Sequence, residues 1–97
     1  MEAVVQLRAE ISRLMRNNLY AHKSRREIME EKAELDAALA RAGASLVPQH
    51  PDAEDEVLAS YFMLTGVSDP EMDSVLTALR GLDAVMAAYV KPGAELA

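Results

Sequence analysis

The sequence predicts an α+β domain, and three observations support that fold class. The chain has 97 residues, which fits a single domain, and 51% of them are apolar, which is enough to build a core. Its first half spaces apolar residues at helical intervals, whereas its second half alternates short apolar runs with single glycines and prolines. Cysteine is absent and aromatic residues make up 4%, so the core must consist of Leu, Val, Ala and Met without disulfides.

The N-terminal half is predicted to be helical because its apolar residues fall three and four positions apart. The first stripe consists of Val4, Leu7, Ile11 and Leu14, and the spacing resumes at Ile28, Leu35 and Leu39. The polar residues 17–24 separate the two stripes, and Ser24 with Glu27 has the spacing of a capping box that begins a helix. This half therefore forms either two helices, at 3–20 and 25–43, or one long helix.

The second half carries shorter elements. Residues 44–50 predict an edge strand, because their single proline cannot donate to a ladder. Residues 58–67 alternate in the manner of a strand, with Phe62 and Leu64 on one face and Tyr61 and Met63 on the other.

The last two elements are a helix and a final strand. The helix is predicted to begin with Asp69 as its N-cap, followed by Pro70, and to end at Gly81. Residues 84–90 are apolar on both faces, which is typical of a central strand.

The order helix, strand, strand, helix, strand is that of the later part of a split βαβ arrangement. We therefore predict a ferredoxin-like domain over residues 25–97, in which a helix covers one face of a small antiparallel sheet. Residues 1–24 form an N-terminal helical arm in this interpretation.

Charge and motifs exclude several classes of function. The four glycines are single, His22 and His50 lack a ligand partner at a metal-site spacing, and no nucleophile motif is present. We therefore expect no enzyme activity, no cofactor and no metal. The net charge of −6 disfavours nucleic acid as a partner, although the segment from Arg8 to Arg26 is basic. Those arginines are expected to line the solvent side of a helix or to face the acidic second half.

The longest apolar runs are far too short to cross a membrane, and no basic stretch followed by a long apolar run begins the sequence. We therefore expect no membrane partner and a cytoplasmic location.

The C-terminal segment resembles a known protein family. The Asp-Pro helix is followed by Leu82-Asp83-Ala84-Val85-Met86-Ala87-Ala88-Tyr89-Val90-Lys91-Pro92. This segment is similar to the propeptides and stand-alone inhibitors of subtilisin-like serine proteases, in which a leucine, a short turn and a valine precede a strand of the form AYV-charged-P. The resemblance extends over residues 25–97 in the order of the elements. The first strand of that family is missing here or replaced by the helix at 3–20, so the sheet is expected to have three strands or to be completed by a partner.

The resemblance implies a non-enzymatic inhibitor or folding chaperone of a subtilisin-like serine protease. The C-terminal tail would enter the substrate cleft by strand addition, with Ala97, Leu96 and Ala94 in the first, second and fourth pockets. The partner-binding residues of the tail would be Gly93, Ala94, Glu95, Leu96 and Ala97. Acids of the loop between the first two predicted strands would cap two helices of the protease. These acids are Asp52, Glu54, Asp55 and Glu56.

Two other functions remain open from the sequence. The first is a helical oligomerisation or partner-docking module, in which residues 3–43 self-associate as a homodimer through Leu7, Ile11 and Leu14. The second is a ferredoxin-like regulatory domain that binds a small ligand at its sheet.

Overall fold

The computed structural model describes residues 2–16, 26–52 and 54–91. Its elements follow one another as β1 (Ala3–Leu7), α1 (Ala9–Arg16), α2 (Arg26–Ala42), β2 (Ser45–Pro48), α3 (Glu56–Ala59), β3 (Tyr61–Thr65), α4 (Asp69–Arg80) and β4 (Val85–Val90).

The four strands form one antiparallel sheet in the order β2-β3-β1-β4. The strands β1 and β2, which α1 and α2 connect, are separated by β3. The strands β3 and β4, which α4 connects, are separated by β1. In each βαβ unit, a strand of the other unit therefore lies between the two strands in the sheet. This arrangement confirms the predicted α+β, split ferredoxin-like class.

The prediction of a helix from residue 3 was wrong, because residues 3–7 form the central strand β1. Val5 pairs with Phe62 of β3 on one side and with Ala88 of β4 on the other. The sheet consequently has four strands within one chain, so β1 is neither missing nor supplied by a partner. The part of residues 1–24 that the structure describes belongs to the domain rather than to a separate arm.

α1 and α2 are two separate helices, and α2 packs back against the start of α1. The guanidinium of Arg8, just before α1, pairs with the carboxylate of Glu31 in α2. A continuous helix would separate these residues by about 34 Å at 1.5 Å per residue. The interpretation of this half as one long helix is therefore wrong. The predicted capping box at Ser24 lies outside the described residues.

The second half differs from the prediction in three details. β3 begins at Tyr61 rather than at 58, because Asp55 caps the short helix α3 through bonds from the amides of Val57 (2.7 Å) and Leu58 (3.3 Å). The N-cap of α4 is Ser68, so the predicted cap, Asp69, lies in the first turn.

The third difference is the position of the last strand. β4 lies at an edge of the sheet, not at its centre. The predicted edge strand near Pro48 is confirmed as β2 at the opposite edge.

The core lies between the sheet and a layer formed by α1, α2 and α4. Residues of these helices pack against alternate residues of β1 and β3, and against two residues of β4 that lie on either side of a register shift. The helical contribution consists of Ile11, Leu14, Ile28, Leu35, Leu39, Met72, Leu76 and Leu79, and the strand contribution includes Ala3, Val5, Leu7, Phe62, Leu64, Val85 and Ala88. The predicted stripe of α4 is confirmed, with Val75 half-buried beside three buried residues.

Two glycines allow a matched test of how closely α2, β2 and β3 approach. Gly43 and Gly66 both have positive φ angles, of 67° and 87°. A Cβ at Gly66 would lie 2.7 Å from the backbone oxygen of Gly43, whereas a Cβ at Gly43 would meet nothing within 4 Å. Both substitutions carry left-handed strain, and only the change at Gly66 adds a clash with backbone.

We expect Gly43→Ala to lower the free energy of unfolding by about 1–2 kcal/mol, the cost of left-handed strain. Gly66→Ala should cost at least about 1 kcal/mol more, since the backbone must shift to admit the methyl group. Urea titration of both variants measures the difference. Equal losses would contradict the close approach of Gly66 to Gly43.

Candidate functional site

The face of the sheet that points away from the helices is largely apolar, with Gln6, Ser45 and Thr65 as polar members. The strand register places Val4 beside Met63 on one side and Tyr89 on the other, and Met63 beside Val47. These residues and Tyr61 alternate with the core residues, so they point to the opposite side of the sheet. We call this surface, Val4, Val47, Tyr61, Met63 and Tyr89, the open face.

Among the residues that the structure describes, the open face is exposed at its margins. The side chain of Val47 is 49% exposed and that of Tyr89 is 41% exposed, whereas the central Val4 is buried by its neighbours. No helix in residues 2–16, 26–52 or 54–91 contributes a core residue to this side of the sheet. An antiparallel sheet with one solvated face normally places polar residues there. The adjoining apolar side chains of the open face therefore make it a candidate contact surface.

A depression of about 280 Å³ lies on the open face, near the point where β4 ends. Its lining combines apolar side chains with phenol, imidazole, amide and ammonium groups. The lining residues are Val4, Gln49, His50, Leu58, Tyr61, Tyr89 and Lys91. Gln49, His50 and Leu58 belong to the connection between β2 and β3, so the acidic loop borders the open face.

The four acids of that loop are exposed, and they differ in whether they have a partner within the chain. Asp55 caps α3, and the carboxylate of Glu56 pairs with the guanidinium of Arg13. Within the part of the chain that the structure describes, Asp52 and Glu54 make no hydrogen bond or ion pair. Only these two carboxylates are thus left to meet an external group.

The basic residues of α1 hold the loop in place. Arg16 donates to the carbonyl of His50 (3.3 Å) and to that of Pro51 (2.8 Å), at the start of the loop. Arg13, one turn earlier, pairs with Glu56 at its end. Of the two predicted roles for these arginines, the structure favours contact with the acidic half of the chain.

The residues predicted to form a dimer seam are buried inside one chain. Leu7 and Ile11 are fully buried and Leu14 is 2% exposed, all within the core. Leu7 ends β1, so it is not a helical residue. Self-association through these three residues would require the core to open, and this predicted seam is therefore wrong.

The predicted tail site, Gly93, Ala94, Glu95, Leu96 and Ala97, lies outside the described residues. The chain leads toward it from an anchored point. The amide of Lys91 donates to the carbonyl of Glu2 at 2.7 Å, and its ammonium lies 3.9 Å from the Glu2 carboxylate. The chain is thereby bonded to the start of β1 as far as Lys91, the residue before Pro92.

Comparisons of this chain with family models, curated proteins and solved structures found no match. In residues 2–16, 26–52 and 54–91, no helix is both long and apolar enough to cross a membrane. The same residues contain no group of three or more His, Asp or Glu side chains that could hold a metal ion.

Sequence reasoning found the acidic loop but missed the open face. The signal was present in β4, whose residues are apolar on both faces. That pattern predicts burial in the middle of the sheet, whereas β4 is an edge strand. An edge strand that is apolar on both faces indicates instead that the face without helices is a candidate contact surface.

Proposed function

We propose that this domain is a non-enzymatic binding protein of the propeptide type, which inhibits or helps to fold a subtilisin-like serine protease. The observation that carries the proposal is the apolar open face, bordered by an acidic loop and by the strand that leads into the C-terminal tail. His50, at the start of the acidic loop, and Lys91, at the end of β4, line the same depression on the open face, so a single partner can reach all three features.

The chemistry of this side of the domain suits a surface helix of the partner. An apolar sheet face packs readily against an apolar helical stripe, as α1, α2 and α4 do on the other face. The free carboxylates of Asp52 and Glu54 can accept bonds from the open N–H groups at a helix N-terminus and complement its positive dipole end. The tail would pair with the walls of the substrate cleft as an added strand.

The proposal is tested by titrating the purified domain against a subtilisin-like protease that cleaves a peptide substrate. Val47→Asp, which adds a charge to the open face, should raise the inhibition constant by at least about tenfold, since the carboxylate is desolvated in the complex. Met29→Asp, at a 38% exposed position of α2 on the opposite layer, should leave the inhibition constant unchanged. Thermal melts confirm that both variants remain folded.

Absence of inhibition by the wild-type domain would reject the proposed function. Equal effects of the two substitutions would reject the open face as the contact surface. A cytoplasmic location of the complex belongs to the same proposal, and fractionation of cells tests it.

A second candidate function is favoured by the depression near Tyr89. Its phenol, imidazole and ammonium groups suit a small carboxylate ligand, as in a regulatory domain. A ligand at 100 times its dissociation constant stabilises the folded state by about 2.7 kcal/mol. Thermal melts in the presence of free amino acids would detect it, and a melting temperature unchanged by all of them would reject this candidate.

A further inference from the structure

The outer edge of β4 is a second feature that invites contact. β4 has the sequence Val85-Met86-Ala87-Ala88-Tyr89-Val90, with no charge, proline or glycine. Met86 is 63% exposed and Val90 is 41% exposed. An uncharged, apolar strand at an edge is a template for pairing with another chain.

The hydrogen-bond pattern identifies which groups of β4 face outward. The amide of Lys91 donates to Glu2, so Lys91 points toward β1. Bonding pairs alternate along an antiparallel ladder, and the register pairs Tyr89 with Val4 and Ala88 with Val5. The amide and carbonyl groups of Ala88 and Val90 therefore point away from the sheet.

One of these outward groups is already occupied. The Nε of Arg80, in the last turn of α4, donates to the carbonyl oxygen of Ala88 at 2.7 Å. The guanidinium places a permanent charge over the middle of an otherwise uncharged strand. It binds the same outward-facing carbonyl oxygen that an added strand would bond, so the arginine side chain lies in the path of that strand.

We propose that Arg80 prevents β4 from pairing with the β4 strand of a second copy of this chain. In an antiparallel pair centred on Ala88, the amide of each Ala88 donates to the carbonyl of the other, at the oxygen that Arg80 binds, so both Arg80 side chains must move aside for the strands to meet. Such a pair is closed by two-fold symmetry. The other edge does not extend it, because β2 is four residues long and ends at Pro48.

The proposal predicts that Arg80→Ala is a dimer at concentrations at which the wild type is a monomer. The substitution removes the charge-assisted hydrogen bond that competes with an added strand for the Ala88 carbonyl. The dissociation constant of the dimer should therefore fall by at least about tenfold. Analytical ultracentrifugation over a concentration series measures this change. Arg41→Ala, which removes an exposed arginine from the last turn of α2, is the matched control and should behave as the wild type.

Two further measurements assign the contact to the edge of β4. Hydrogen exchange of the Ala88 and Val90 amides should slow in the Arg80→Ala dimer, since both amides become bonded. Adding Val90→Pro removes one of these donors and should return Arg80→Ala to the monomer. The proposal is overturned by a monomeric Arg80→Ala, by equal association of the wild type or of Arg41→Ala, or by a dimer that survives Val90→Pro. None of these outcomes depends on protease binding.

Discussion

Replacing Leu14 by aspartate is expected to unfold the protein rather than to separate a dimer. Leu14 is 2% exposed within the core. Losing a buried leucine costs about 2–5 kcal/mol, and burying an unpaired carboxylate adds several more. A domain of this size has a total stability of about 5–15 kcal/mol, so Leu14→Asp should show no cooperative unfolding transition in urea and no native near-ultraviolet circular dichroism.

Met29→Asp is the control for this prediction, because it introduces the same charge at a 38% exposed position of α2. It should change the free energy of unfolding by less than about 1 kcal/mol, in line with substitutions at exposed sites. If Leu14→Asp instead remained folded and only lost mass by light scattering, Leu14 would lie on an oligomer surface. The placement of α1 in the core would then be wrong.

Removing residues 93–97 is expected to abolish inhibition of a subtilisin-like protease. In the proposed complex, the tail supplies both the main-chain bonds and the side chains that enter the substrate pockets. The truncation should leave stability unchanged, because it keeps the whole of β4, which ends at Val90, and the bond from the Lys91 amide to Glu2. The inhibition constant and a urea titration of the same sample separate these two effects.

Point substitutions in the tail make this prediction more specific. Leu96→Asp should weaken inhibition strongly, because the resemblance places Leu96 in the second pocket. Glu95→Gln should have little effect, because alternate side chains of an added strand point away from the pockets. A truncated chain that inhibits as well as the full chain would remove the tail from the mechanism while leaving the open face to be tested by Val47→Asp.

The prediction for the N-terminus failed because its residues satisfy two periodicities at once. Ala3, Val5 and Leu7 alternate as in a strand, whereas Val4, Leu7, Ile11 and Leu14 follow helical spacing. With only five residues, β1 is too short for the pattern to distinguish a strand from a helix. Pairing with both β3 and β4 decides the outcome, since it satisfies the backbone of β1 on both sides.

The candidate site was predicted in part. The acidic loop is visible in the sequence as a run of carboxylates, and the structure leaves it exposed. The sequence does not show which parts of the loop have partners within the chain. Arg13 and Arg16 are more than 30 residues away along the chain, and they reach the loop only when α1 packs beside it. The open face was missed for a related reason, since the alternation in β3 and β4 does not say which face the helices cover.

The sequence by itself determined the α+β class, the edge position of β2, the buried stripe of α4 and the exposed acidic loop. Each of these follows from local chemistry: the missing donor of Pro48, the three- and four-residue spacing from Met72 to Leu79, and clustered charge. The tertiary structure decided that residues 3–7 form a central strand, that β4 lies at an edge, and that α1, α2 and α4 all pack on one face of the sheet. These outcomes depend on hydrogen bonds and packing between segments far apart in the chain, and local periodicity contains no information about which segments meet.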